Sequence, residues 1–267
     1  MSNQPWVTAL HSAGVCEVIW VPADGRPDAV AATPLVWNDR PTLAFPYAQA
    51  QVGRSISAAR QVAVVLSDAR LTGSGWHPIA VVGRPELIED RAGSVFTAEL
   101  LDQELRKHPP SRVLADSILL RREHWWFLPR ILITIEPEAV ISVAARKGGT
   151  ADAVLGVSEV DPAGDRLRVA TVQLEGDERN RPTVLPLGTG ALPAGDEPPR
   201  PAVLLRHDFS EPDLERWSSW TASGTLTGDV FDTEGQRGSV VLPPPPGLLA
   251  RMRRQRDLAR SCRRELT

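Results

Sequence analysis

The chain has 267 residues, 42% apolar and 24% charged, ordinary for a globular protein with a core and longer than the usual single domain. Its net charge of -3 and pI near 6.0 exclude a nucleic-acid binder that works by bulk electrostatics. Cys16 and Cys262 belong to no metal-type spacing, so a reduced, cytoplasmic protein is expected, with no metal site. Met1 to Leu10 shows no basic segment leading into an apolar core, and no run approaches the roughly 18 apolar residues of a membrane span. Neither a membrane nor a nucleic acid is expected as a partner.

The first ninety or so residues read as strands divided by turns. Cys16 to Val21 is β-rich and closes on Ala23-Asp24-Gly25-Arg26-Pro27, where Asp and Gly tolerate positive φ. A strand over Asp28 to Trp37 turns at Asn38-Asp39 into Thr42 to Phe45. Gly53 to Arg60 predicts a short helix with Ser55 as its cap. Val62 to Leu66 is continuously apolar, as a strand covered on both faces requires. The next strand runs from His77 to Ile88, and Gly83 inside it marks a bulge or bend.

Helical spacing follows in Phe96 to Lys107, which stops at His108-Pro109-Pro110, and a second helix capped by Ser111 carries Val113, Leu114, Ile118 and Leu119. Trp125 to Glu136 returns to strand, with Pro137 expected to end the ladder because it lacks an N–H. Lys147-Gly148-Gly149 is a candidate linker. Strands follow at Val154 to Val160, Arg166 to Leu174, Thr183 to Leu187 and Ala202 to Arg206, with a Pro/Gly-rich loop over Gly188 to Pro201. Asp208 to Trp220 reads as helical or turn-like, and Thr221 to Phe231 with Ser239 to Leu242 complete the β part. After the Pro243 to Pro246 spacer, Leu248, Met252, Ala259, Cys262 and Leu266 mark one stripe of an Arg-rich helix.

Val62 to Leu66, Trp76 and Ala80-Val81-Val82-Gly83 find an echo in Ala202 to Leu205, Trp217 or Trp220, and Ala222-Ser223-Gly224. Both are an apolar strand, a connector with Trp, then a strand interrupted by Gly. If the echo is a duplication, the halves pack as a pseudo-dimer; two unrelated β segments also look this alike.

The order Ala31-Ala32-Thr33-Pro34-Leu35-Val36-Trp37, a turn, Leu43-Ala44-Phe45, Arg54-Ser55 and Val62 to Leu66 resembles the pyridoxamine 5'-phosphate oxidase-like, FMN-binding split-barrel superfamily. The resemblance covers about residues 10 to 145 and rests on pattern. It implies a mainly β (α+β) fold, a split β-barrel with inserted helices plus a β-rich C-terminal extension, and a homodimer with a flavin at the interface. The domains expected are 1–146, the flavin-type barrel; 147–245, a β-rich extension or degenerate second half-barrel; and 246–267, the spacer and terminal helix.

By that resemblance Arg54 and Ser55 fall where a phosphate clamp belongs, a planar guanidinium beside the free N–H groups of a helix start. Thr33, Pro34, Leu35 and Trp37 would flank the ring, with Trp76 and His77 joining from the next strand. Many relatives carry a second cation two positions before Arg54, where this chain has Val52. Losing that contact costs about 1.5–3 kcal/mol, so FMN, the 8-hydroxy-5-deazaflavin coenzyme or no cofactor at all are the alternatives. A flavin- or deazaflavin-dependent oxidoreductase of an unidentified small molecule is the leading expectation, with its catalytic residues unknown. The other classes are a non-catalytic barrel that has lost its cofactor and a haem-binding or haem-degrading relative.

Each candidate has a plainer reading. Arg54 and Ser55 equally suit a helix cap beside a solvated cation; Trp76-His77 suits an aromatic plug at a barrel end. Gly73-Ser74-Gly75 gives a backbone close approach to a ligand or a simple loop. His124-Trp125-Trp126 suits barrel packing or a dimer seam better than haem ligation, and His11 and His207 are isolated. The Arg251 to Arg264 helix is expected to dock on its own barrel rather than on lipid.

Overall fold

A computed structural model of the protein describes residues 4–115, 125–147, 151–159, 166–177, 180–188, 192 and 198–267. The expected helical residues Ile118 and Leu119, His124, and Gly148-Gly149 lie outside the described residues, as do the side chains of Val113, Leu114 and Trp125.

All five residues of the apolar run Val62–Leu66 are buried, because both faces of that strand are covered. It sits mid-sheet. In chain order the first body comprises helix α1 (Pro5–Ser12), β1 (Cys16–Trp20), β2 (Asp28–Ala32), β3 (Leu35–Trp37), β4 (Arg40–Pro46), helix α2 (Ala50–Ser57), β5 (Val62–Leu66) and β6 (Ile79–Asp90). Helices α3 (Leu101–Lys107) and α4 (Pro109–Ala115) precede β7 (Arg130–Ser142). These seven strands form one antiparallel sheet, ordered β2-β1-β5-β6-β7-β4-β3. The second body is a closed barrel of β8 (Asp152–Glu159), β9 (Arg166–Asp177), β10 (Arg181–Pro186), β11 (Arg200–Phe209), β12 (Trp217–Thr227) and β13 (Val230–Gly238). A C-terminal helix spans Leu248–Leu266.

The mainly β, split-barrel class is as expected, and the fully closed barrel is the C-terminal one. Its order β10-β13-β12-β11-β8-β9 follows the same path as β4-β7-β6-β5-β1-β2 in the first sheet. Closure comes from the β9–β10 pairing; in the first sheet β3 takes the free edge of β4 instead.

Several elements depart from the expected bounds, each for a local reason. The strand expected over Asp28 to Trp37 is two, broken at Thr33-Pro34, and its pieces β2 and β3 lie at opposite edges of the sheet. Pro34 has no N–H for a ladder, which permits the break. Helix α2 begins at Ala50 rather than near Gly53, continuing from a 3-10 turn at Tyr47–Gln49. Gly53 is no helix stop: a Cβ there would sit 2.7 Å from Ile131 Cγ2, so its lack of a side chain lets the helix lie against β7. Ser111 lies inside α4 rather than capping it, and its hydroxyl donates to Glu104. Pro137 does not end β7, because it pairs with Gly83 across a bulge where the ladder needs no N–H. Of the stretch read as helical or turn-like, Asp208 to Trp220, the middle is a tight turn closed by Ser210 and Arg216, and its two ends are strand, the end of β11 and the start of β12. Ser239 to Leu242 is not part of the sheet; β13 ends at Gly238.

One apolar cluster joins the two bodies, with Ile19, Ala63, Val65 and Val82 from the sheet against Val154, Val169, Val203 and Leu205 from the barrel. The C-terminal helix docks on the first body through Cys262, fully buried, with Leu258, Ala259 and Leu266 packed on the same core. Its stripe is therefore only half used: Leu248 and Met252 of the expected face are exposed.

Candidate functional site

Arg54 lies in the last turn of α2, not at its start. The backbone it borders offers carbonyls there rather than free N–H groups, and Arg54's own carbonyl accepts from the Ala58 N–H and the Ser57 hydroxyl. The expected helix-start contribution to an anion site is thus corrected. The guanidinium is bracketed by two carboxylates: Nη1 donates to Glu265 Oε2 at 3.0 Å, from the C-terminal helix, and Nη2 to Glu89 Oε1 at 3.3 Å, from β6. Glu265 and then Glu89 strengthen its hold on its proton. Arg91 extends the group by donating to Glu89 at 3.1 Å and to the Leu266 carbonyl at 3.5 Å. Ser55 does not serve as an N-cap; its hydroxyl accepts from Trp20 Nε1 at 3.0 Å, tying α2 to the end of β1.

The residues expected around a ring are held separately. Pro34 is buried and its carbonyl accepts from Lys107 Nζ at 2.6 Å, while the same amine donates to the Leu10 carbonyl at 2.5 Å. Burial, the dominant cause, brings the Lys107 pKa down to about 7. Gln103 of α3 bonds both backbone groups of Val36, at 3.0 Å and 2.7 Å. Leu35 is core, Trp37 is half-buried against the same core, and Thr33 is half-buried in the connection. These contacts fix the β2–β3 connection to α1 and α3, while Arg54 is fixed to β6 and the terminal helix.

Trp76 packs against the first core, and its indole N–H is buried without an acceptor among the described residues. His77 Nδ1 lies 3.3 Å from the Gly75 carbonyl. The Gly73-Ser74-Gly75 loop lies on α1: Gly73 N–H donates to the Ser12 carbonyl, and a Cβ on Gly75 would meet Thr8 Cγ2 at 2.9 Å. Gly75 also holds φ +102, a conformation that a side chain would strain.

The most developed polar cluster lies between the two bodies. Arg146 Nη2 is 2.5 Å from Glu17 Oε1 and 2.7 Å from His207 Nε2, and His207 Nε2 is 2.7 Å from the same Glu17 oxygen. His207 Nε2 either donates to Glu17 or accepts from Arg146, according to tautomer. Arg146 Nε also donates to Ser67 Oγ at 2.8 Å. All of these groups are buried. Burial pushes the Glu17 pKa up, but Arg146 and then His207 outweigh it and bring it down to about 2. Beside them, Arg70 forks onto Asp68 at 3.0 and 2.8 Å and donates to Asp208 at 2.6 Å. Its guanidinium lies 3.9 Å over Phe209, which stacks on Trp217, which stacks on His207. Glu17, Arg146 and His207 are almost wholly inaccessible, whereas Arg70 and Asp208 each keep about a fifth of the side chain exposed. Glu17, Ser67, Arg146 and His207 are scattered along the chain, and no local spacing announces them. The one available signal is the echo itself, which runs on into Ser67-Asp68 and His207-Asp208.

A groove of about 960 Å³ runs between Ala48-Gln49 and the start of the C-terminal helix, lined by Leu248, Leu249, Arg253 and Leu258. None of the eight candidate residues lines it. Among the described residues no group of three His, Cys, Asp or Glu is placed to hold a metal, and no helix is long and apolar enough to cross a membrane. Both cysteines are buried and free, and burial raises both thiols' pKa values.

No family model matches the chain, and no curated protein matches it. Solved structures similar to it include a haem-binding protein from Mycobacterium smegmatis, at 11% identity and TM-score 0.34, covering 99% of each chain. Another is a pyridoxamine 5'-phosphate oxidase-related, FMN-binding protein from Nostoc punctiforme, at 12% identity and TM-score 0.31, covering 82% of this chain and 97% of that one. A third is an F420 reductase, at 18% identity and TM-score 0.35, covering 53% of this chain and 98% of that one. At such identities and TM-scores no residue's role passes from these proteins to this chain.

Proposed function

We propose that this protein is a non-catalytic split-barrel binding module in which Glu265 takes the place of an anionic cofactor tail. The observation that carries this reading is the Arg54 guanidinium between Glu89 and Glu265. Glu89 and Glu265 engage both ends of the Arg54 guanidinium, and with Arg91 also on Glu89 the group is charge-balanced, which leaves no unopposed cation to attract a phosphate. Ser55 is held towards Trp20, from whose indole N–H its hydroxyl accepts, and α2 presents carbonyls rather than free N–H groups at this end. The residues at the position expected for a flavin phosphate therefore do not suit that group as they stand.

The oxidoreductase using FMN or the 8-hydroxy-5-deazaflavin coenzyme is the second reading. One observation favours it: the Arg54 side chain remains 41% exposed, so an anion competing with Glu265 has access. A haem-binding role has less support, because His207 is sealed between Glu17, Arg146 and Trp217.

The test is optical. The purified full-length protein is expected to be colourless and to leave FMN fluorescence unchanged through the tens-of-micromolar range. Glu265→Gln removes one competing charge and should tighten FMN binding about tenfold to a hundredfold, the value of one freed charge-assisted contact. A yellow wild-type protein overturns the non-catalytic reading. FMN binding that is equally weak in wild type and Glu265→Gln overturns the occupied-anion-site argument.

A further inference from the structure

We infer that the chain is one six-strand unit used twice, with the two copies related by an internal two-fold axis, so that the face a copy would offer to a second molecule is used up inside the monomer. The shared strand path is the first support, and the residue registers make it specific. Two glycines anchor the comparison. On β6 the pairing with β7 slips at Val82/Gly83, and on β12 the pairing with β13 slips at Ser223/Gly224. A Cβ on Gly83 would lie 2.0 Å from the Glu136 carbonyl oxygen, and one on Gly224 2.1 Å from that of Asp232. The residue skipped on the opposite strand is a glutamate both times, Glu138 and Glu234.

With Gly83 set against Gly224, the ladders carry the correspondence inward without a slip. Val62 pairs with Gly83 and Ala202 with Gly224, so β5 and β11 align from Val62 and Ala202 onward. Trp20 pairs with Val62 and Val157 with Ala202, which sets Ile19 of β1 against Gly156 of β8. Ala29 pairs with Ile19 and Val169 with Gly156, extending the match to β2 and β9.

Equivalent residues meet only near the axis of a two-fold; here one pair adjoins directly and two more are joined through a shared arginine. A Cβ on Gly156 would lie 2.5 Å from Ile19 Cγ2, so the bulky residue of one copy fills the space left by glycine in the other. Continuing β5 and β11 by the same count pairs Ser67 with His207 and Asp68 with Asp208. Arg146 grips the first pair through Nε and Nη2, and Arg70 grips the second through its fork and Nη1. The two arginines thus clasp matched positions across the axis. The contact between the copies is also apolar and continuous, with Ala29, Ala63 and Val65 facing the same cluster as their counterparts Val169, Val203 and Leu205.

The axis makes an unusual demand on substitutions. Ile19→Gly opens a hole, and Gly156→Ile overfills the same space; each is expected to lower the melting temperature by about 5–10 °C. Exchanging both residues at once, Ile19→Gly with Gly156→Ile, should recover at least half of the summed loss, because each residue then occupies its counterpart's place. A double variant whose losses simply add overturns the two-fold. Should either single variant fail to fold, sedimentation equilibrium of the wild type decides. A mass of 29.1 kDa across the micromolar range is expected, and a stable dimer overturns the claim that the pairing face is consumed within one chain.

Discussion

Glu17 is the residue on which the seam between the bodies turns. Its carboxylate sits with Arg146 and His207 in a space closed to water, and its second oxygen has no partner among the described residues. Such a pair gives little net stability over an apolar replacement, but removing one member strands the other's charge. Glu17→Gln is therefore expected to cost about 3–5 kcal/mol at pH 7, read from urea unfolding. The pH dependence follows from the shifted carboxylate. Because its folded pKa of about 2 lies below the ordinary value of 4.5, its contribution is complete above pH 4.5 and fades as pH falls towards 2. Glu17→Gln should flatten that acid limb of the stability curve. An acid limb equally steep in the variant would exclude Glu17 as its source. Arg54 shows why such partnerships escape a sequence: Glu89 is 35 positions away and Glu265 is 211 away, and no local spacing announces either.

At the scale of elements, most strands were legible because burial imposes a period. Val62–Leu66, covered on both faces, is continuously apolar, and the Asn38-Asp39 turn shows positive φ at both residues. Sequence and structure part where a residue's local habit yields to tertiary packing. Gly53 suggested a helix boundary, but it lies within α2 because Ile131 leaves no room for a Cβ. Pro137 suggested a strand end, but it sits in a bulge that needs no donor. That bulge is itself testable. A Cβ at Gly83 or Gly224 would run into a backbone carbonyl rather than a flexible side chain, so relief requires moving a strand. Gly83→Ala and Gly224→Ala should each destabilise by about 2 kcal/mol or more, by similar amounts, in chemical unfolding. A neutral effect at either site would show that its bulge tolerates an ordinary side chain.

For the whole molecule, the buried charges set the pH range in which the two bodies and their helices hold together. Lys107 ties α3 to the end of α1 and to the β2–β3 connection through two carbonyls, at a depth where burial lowers its pKa to about 7 from an ordinary 10.5. Between those values the unfolded chain carries a proton that the folded chain does not, so stability rises with pH from about 7 upward. Cys16 acts in the opposite sense. Its thiol is held protonated in the fold, so above its ordinary value of 9.0 the unfolded state gains by ionising, and stability is drawn down again. The window in which Lys107 dominates is therefore about pH 7 to 9. Across it the wild type should gain stability, and Lys107→Met, which has no proton to lose, should lose that slope. Equilibrium unfolding at several pH values through the window distinguishes the cases: a slope unchanged in Lys107→Met would mean that the amine is charged in the folded protein, and that the two carbonyls hold an ammonium against the cost of its burial.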